Sequence, residues 1–162
     1  MFYGRYEHVV DAKGRMRIPS QFKKELADGC VFFAPTNEVV SIYTKEGIQK
    51  KLDFAKNLSP FNKAEIRAAK KVFGSIYDKT EDGQGRILIP TEVRNKLKKI
   101  ECYDKDGNKY YTEVSIKDII SIGMGDHIDI TTKQACDGKN DDATEDDDLD
   151  MLDMLYKKSN EI

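Results

Sequence analysis

The stretch Asp11-Ala12-Lys13-Gly14-Arg15-Met16-Arg17-Ile18-Pro19 returns 71 residues later as Asp82-Gly83-Gln84-Gly85-Arg86-Ile87-Leu88-Ile89-Pro90. Aligned without gaps, residues 2–26 and 73–97 share 8 identities in 25 positions, and five of them (Asp, Gly, Arg, Ile and Pro) fall inside this motif. Such a repeat means that one structural unit has to explain two segments. In each copy Asp-x-x-Gly predicts a tight hairpin turn: Asp11 or Asp82 accepts from nearby backbone amides, and Gly14 or Gly85 is free to take a positive φ. A short strand follows. Its period of two puts Met16 and Ile18 on one face and Arg15 and Arg17 on the other, while Ile87 and Ile89 oppose Arg86 and Leu88. The apolar pairs point inward and the arginines outward. Pro19 and Pro90 stop the strands and suit the first turn of a helix. Phe22 and Leu26 in one helix, and Val93 and Leu97 in the other, are spaced four apart and make short buried stripes.

Further strands are expected after each helix. Residues 30–34 and 39–43 are apolar runs around Pro35-Thr36-Asn37, a hairpin; residues 119–122 and 127–130 are its counterpart around Gly123-Met124-Gly125-Asp126. Between the copies lies a helical arm, residues 45–58 and 62–72, broken at Ser59-Pro60 and with Asn62 as a candidate N-cap. The second copy carries extra sequence at 101–112, where Asp104-Lys105-Asp106-Gly107-Asn108 reads as the turn of a surface hairpin. Residues 137–148 are rich in Asp and nearly without apolar groups, so disorder is expected there. Residues 149–156 carry Leu149, Leu152, Leu155 and Tyr156 at helical spacing, a segment suited to a protein partner. The division expected is therefore 1–44, first module; 45–72, helical connector; 73–136, second module; and 137–162, a disordered acidic tail. The fold class is α+β.

Composition narrows the function. The chain has 162 residues, 39% hydrophobic and 35% charged, with no apolar run near the roughly 18 residues that span a bilayer. Residues 1–5 lack the pattern of a secretory signal, so the expected location is the cytoplasm, without membrane association. Cys30, Cys102 and Cys136 are odd in number and far apart, and His8 and His127 have no Cys or His at ligand spacing, so neither a disulfide framework nor a metal site is expected. There is no nucleophile with a paired base and no phosphate-cradling Gly-rich loop, so neither a cofactor nor an enzymatic activity is expected. The formal net charge of −2 hides a division: residues 1–136 carry 24 Lys/Arg against 19 Asp/Glu, residues 1–99 carry 20 against 12, and residues 137–162 carry 3 against 10. A basic body fits a polyanionic partner.

The opening Met1-Phe2-x-Gly4-x-Tyr6-x-His8-x-x-Asp11-x-Lys13-Gly14-Arg15-x-x-Ile18-Pro19, with the second Asp82-x-x-Gly85-Arg86-x-x-Ile89-Pro90, resembles the MraZ transcriptional regulators of bacteria over about residues 1–133. The resemblance implies two AbrB-like (SpoVT/AbrB) β-hairpin/helix modules in a pseudo-twofold arrangement. It also implies ring-shaped homo-oligomers, in the heptamer to octamer or dodecamer class, on the nucleoid. These would bind repeated promoter elements of the division and cell wall gene cluster in double-stranded DNA. Arg15 and Arg86 carry over as DNA-contacting residues, and Lys13 as a flanking cation. The chain also departs from the family: Thr131 and Thr132 stand where an aromatic, commonly Trp, is usual, the insertion and acidic tail are additions, and Gln84 replaces the lysine of the first copy.

The candidate DNA-binding set is Lys13, Arg15, Arg17, Gln84 and Arg86, framed by the structural residues Asp11, Gly14, Pro19, Asp82, Gly85 and Pro90. Arginine suits the task because its planar fork takes phosphate bidentately or guanine O6 and N7 in the major groove. A purely structural Asp–Arg ion pair across each turn is the competing account, and exposed pairs of that kind stabilise little. Both hold together if Asp orients Arg. Ring assembly makes later binding steps intramolecular, raising avidity about 100-fold or more. Two other classes fit less of the chain: an AbrB-like antitoxin whose tail wraps a toxin, and a ring-forming protein scaffold without DNA binding.

Overall fold

Met16, Ile18, Phe22 and Leu26 from the first copy pack into one buried cluster with Ile87, Ile89, Val93 and Leu97 from the second. The computed structural model that shows this describes residues 1–138 and 145–160. In chain order the elements are β1 (Arg5–Val9), β2 (Arg15–Arg17), α1 (Ser20–Lys23), β3 (Cys30–Phe33), β4 (Ser41–Tyr43), α2 (Lys45–Lys51), a 3-10 segment (Leu52–Asn57), α3 (Lys63–Phe73) and β5 (Ile76–Lys79). They continue with β6 (Arg86–Leu88), α4 (Thr91–Lys98), β7 (Lys99–Tyr103), β8 (Lys109–Glu113), β9 (Asp118–Gly123), β10 (His127–Thr132), α5 (Lys133–Gly138) and α6 (Glu145–Asn160). Paired strands are antiparallel throughout, and the class is α+β.

A six-stranded sheet runs in the order β1-β9-β10-β4-β3-β5, and β2-β6 and β7-β8 form separate two-stranded sheets. The expected hairpins β3–β4 and β9–β10 are both present. Every other pairing within the large sheet, β1 on β9, β10 on β4 and β3 on β5, joins a strand of one copy to a strand of the other. One expectation is corrected here: the strands flanking each Asp-x-x-Gly turn do not close on one another as a hairpin. β2 pairs instead with β6, in the register Arg15↔Leu88, Met16↔Ile87, Arg17↔Arg86. The physical reason is size. A three-residue strand has one inward side chain, and Met16 is buried by facing Ile87 above the shared core, which the solvent-facing flank of its own turn does not offer.

The arm follows its local signals. Thr44 caps α2 by accepting from the Gly47 amide, and Asn62 caps α3 by accepting from the Ala64 and Glu65 amides. Residues 52–57 are 3-10 rather than α-helical, and Ser59-Pro60 separates them from α3. Pro19 and Pro90 stand at the cap positions just before α1 and α4, with extended ψ of 140° and 145°, one residue earlier than the first turn. The insertion forms the surface hairpin β7–β8, turned at Asp104–Gly107. Within the tail expected to be disordered, residues 145–160 are helical. Lys157 and Lys158 lie in the last turn of α6, favourable to the helix dipole, and Lys157 pairs with Asp153 at 2.8 Å. Residues 137–138 end α5, and the rest of the segment expected to be disordered, 139–144 and 161–162, lies outside the described residues. Among the described residues no helix is long and apolar enough to cross a membrane.

Candidate nucleic-acid interface

Each turn is held by its aspartate. Asp11 Oδ1 accepts from the Lys13 amide (3.0 Å) and the Arg15 amide (2.9 Å), and Asp11 Oδ2 accepts from Arg15 Nε (2.7 Å). The second turn repeats this: Asp82 Oδ1 accepts from the Gln84 amide (2.8 Å) and the Arg86 amide (3.0 Å), and Oδ2 from Arg86 Nε (2.9 Å). The Arg15 backbone amide, opposed by desolvation and helped by the guanidinium and the Lys13 amide, keeps Asp11 below the usual carboxylate range. The Arg86 amide does the same for Asp82, with Gln84 and the guanidinium assisting. Gly14 (φ +86°) and Gly85 (φ +77°) take the left-handed conformation that completes each turn. The Gly carbonyls also tie the copies together: Gly85 O accepts from the Ile18 amide (3.2 Å) and Gly14 O from the Ile89 amide (2.9 Å).

The clamp engages only one edge of each guanidinium. Among the described residues nothing in the chain engages the terminal Nη atoms of Arg15 or Arg86. Both side chains are about one-quarter exposed. Because β2 and β6 pair, their outward faces form a single surface, with Arg17 directly opposite Arg86 and Arg15 opposite the exposed Leu88. Arg17 Nη1 donates to the Gln84 carbonyl (2.8 Å), fastening the end of β2 to the second turn. Arg15, Arg17 and Arg86 line one groove of about 410 Å3 together with Glu7, His8 and Asp11. Lys13 and Gln84 are exposed on the turns themselves.

Three residues of this surface were not singled out from the sequence. Arg94 of α4 lies over the first turn, where a Cβ on Gly14 would come within 2.5 Å of its Nη1; Nη2 donates to Thr91 Oγ1 (3.0 Å), and Nε is buried without a partner. Lys23 of the first copy lies over the second turn, against Gly85 and 3.9 Å from Glu81. The alignment held the clue, since positions 23 and 94 are equivalent and both cationic. His8 lines the groove and hydrogen-bonds Ser121 Oγ through Nε2 (2.6 Å). Burial pushes its pKa below the ordinary 6.5, against an opposing hydrogen bond with the Arg17 backbone. Nothing in the sequence marked His8 as part of this surface, because its place depends on β1 crossing to β9.

This chain is similar to proteins named transcriptional regulator MraZ. That from Thermoanaerobacter pseudethanolicus is 33% identical over 135 residues, covering 83% of this chain and 82% of the relative. The Lachnoclostridium phytofermentans protein is 32% identical over 136 residues, 75% and 96% of the two chains. The Alkaliphilus metalliredigens protein is 31% identical over 144 residues, 88% and 89%. The chain belongs to the MraZ family. No family model matches it.

Other chemistry in this MraZ-family chain is sparse. Among the described residues no group of three or more His, Cys, Asp or Glu could hold a metal ion. The three cysteines are free, and burial pushes the Cys30 thiol up to about 12, so it stays protonated and unreactive.

Proposed function

We propose that this chain is a sequence-specific DNA-binding transcriptional regulator and not an enzyme. It acts on repeated promoter elements of the division and cell wall gene cluster, as a ring of identical subunits on the nucleoid. Double-stranded DNA meets the β2–β6 surface: Arg15 and Arg86 present their unengaged Nη atoms, Arg17 and Lys13 add phosphate contacts, and Gln84 adds a polar contact. Asp11 and Asp82 are positioning residues. Each grips Nε so that the fork leaves the protein in one orientation, which lowers the entropy lost on contact. The carrying observation is the duplicated clamp, two aspartates holding two arginines by the same atoms with the outer nitrogens left open.

In this proposal the repeat units 1–44 and 73–136, joined by 45–72 and followed by the tail 137–162, are AbrB-like modules that exchange strands about a pseudo-twofold axis. Support comes from the sheet order, which maps onto itself when β1, β3 and β4 are exchanged for β5, β9 and β10. The same exchange maps Arg15↔Leu88 onto Arg86↔Arg17. One small surface offers few contacts, and a ring facing repeated elements multiplies them.

The test is a footprint on the region upstream of the chain's own gene, repeated with Arg15→Ala and Arg86→Ala. Protection of repeated elements, weakened by about 1–3 kcal/mol for each substitution in an intact oligomer, is expected. Full protection by both variants would remove the clamp from the interface, and no protection by the parent chain would favour the scaffold.

A further inference from the structure

Away from the arginines, the insertion builds a second concavity. The register of β7 and β8 pairs Glu101 with Tyr111 and Tyr103 with Lys109. With a period of two, Lys99, Glu101, Tyr103, Lys109 and Tyr111 therefore share one face of the hairpin, and Ile100 and Cys102 share the other. The first face, together with Lys71 of α3 and Lys96 of α4, lines a groove of about 810 Å3. That falls within the roughly 300–1,000 Å3 of small-molecule sites.

The charge there is weighted to cations, with Lys71, Lys96, Lys99 and Lys109 against Glu38 and Glu101. Glu101 is engaged within the hairpin and its neighbouring loop: it takes Lys109 Nζ at 2.9 Å and the Tyr103 hydroxyl at 2.7 Å, and it shares a hydrogen bond with Glu38. Lys109 also lies 5.4 Å from the centre of the Tyr111 ring. Lys71, Lys96 and Lys99, by contrast, form no ion pair among the described residues. Lys96 donates to the Ala34 carbonyl, and burial together with the Lys71 charge lowers its pKa. Four ammonium groups against two carboxylates favour an anion, and phosphate is the anion that lysine binds as a compact point charge. Tyr103 and Tyr111 stand 63% and 52% exposed on the same face, offering rings on which a base can stack.

We propose that this groove binds a nucleoside di- or triphosphate, with its phosphates on Lys71, Lys96 and Lys99 and its base against Tyr103 and Tyr111. The proposal goes beyond the DNA reading and does not depend on it. Titration calorimetry of the full chain with ADP, pyrophosphate and adenosine tests it. ADP is expected to bind about tenfold or more tighter than either fragment, since each offers half of the contacts. Lys71→Ala and Tyr111→Ala should each weaken ADP about tenfold while leaving thermal unfolding and the promoter footprint unchanged. Absence of ADP binding at millimolar concentration overturns the proposal. Equal affinity for ADP and pyrophosphate, with Tyr111→Ala silent, overturns it in favour of a bare anion patch. Loss of the footprint in Lys71→Ala, with no ADP binding in the parent, assigns these lysines to the DNA surface instead.

Discussion

Gly14 and Gly83 differ by one property that decides what a methyl group does to each. Gly14 has a φ of +86° with the Arg94 side chain against it, while Gly83 has open space on its Cβ side and no positive φ. Gly14→Ala should therefore cost about 1–3 kcal/mol in urea unfolding, and Gly83→Ala should be neutral or stabilise by up to about 1 kcal/mol. Both lie in aligned turns, and only backbone conformation separates them. His8 gives a second residue-level expectation. Burial lowers its pKa in the fold, whereas in the unfolded chain it takes a proton near 6.5. The unfolded state then binds more protons, so stability falls as pH drops below that value, until the folded ring itself is protonated. His8→Gln should flatten the difference in urea midpoint between about pH 7.5 and about pH 5.5; an undiminished difference would assign the acid sensitivity to other groups. Asp11 and Asp82 work in a lower window. Their lowered values carry stability that is full above the ordinary 3.8 and is lost as pH falls through the folded values.

At the scale of elements, β2 and β6 are too short to stand alone, and each is the other's partner. Met16 is 2% exposed and Ile87 fully buried at the centre of that pair. Met16→Ala should destabilise by about 2–5 kcal/mol, and it should impair the arginines of both copies together because one pairing aims both. Asn62→Ala is the control on another element. It removes acceptors from two amides of α3 and should cost about 1 kcal/mol while leaving DNA binding intact. The turn residues, the outward arginines, the proline stops and the Asn62 cap were all legible in the sequence, because each is set within a few residues by backbone chemistry. The partner of each strand was not. Alternation says which side chains face inward, but it does not say which distant strand covers them, and the hairpins expected at the Asp-x-x-Gly turns failed for that reason.

The larger of two buried clusters is shared by the two copies, and the chain has a basic body and an acidic end. If Lys13, Arg15, Arg17 and Arg86 all meet phosphate, log affinity should fall with log salt at a slope of about −3.6 for each engaged subunit, and Arg15→Ala should reduce that slope by about 1. Removing residues 137–162 takes away 10 acidic and 3 basic side chains. Affinity measured by mobility shift at low salt should then rise several-fold, and the difference should vanish at high salt as the tail is screened. Unchanged affinity at low salt would make the tail electrostatically silent.

The sequence by itself determined the units: two turns built alike, the residues each buries, the cations each exposes and the family to which the repeat points. These follow from local hydrogen bonding and from side-chain alternation, which act over a handful of residues. Only the tertiary structure decided that strands of one copy pair with strands of the other, that Arg15, Arg17 and Arg86 share one groove, and that Arg94 and Lys23 each sit over the other copy's turn. Those facts depend on how two half-buried faces satisfy each other across 71 residues of chain, and no local preference encodes that choice.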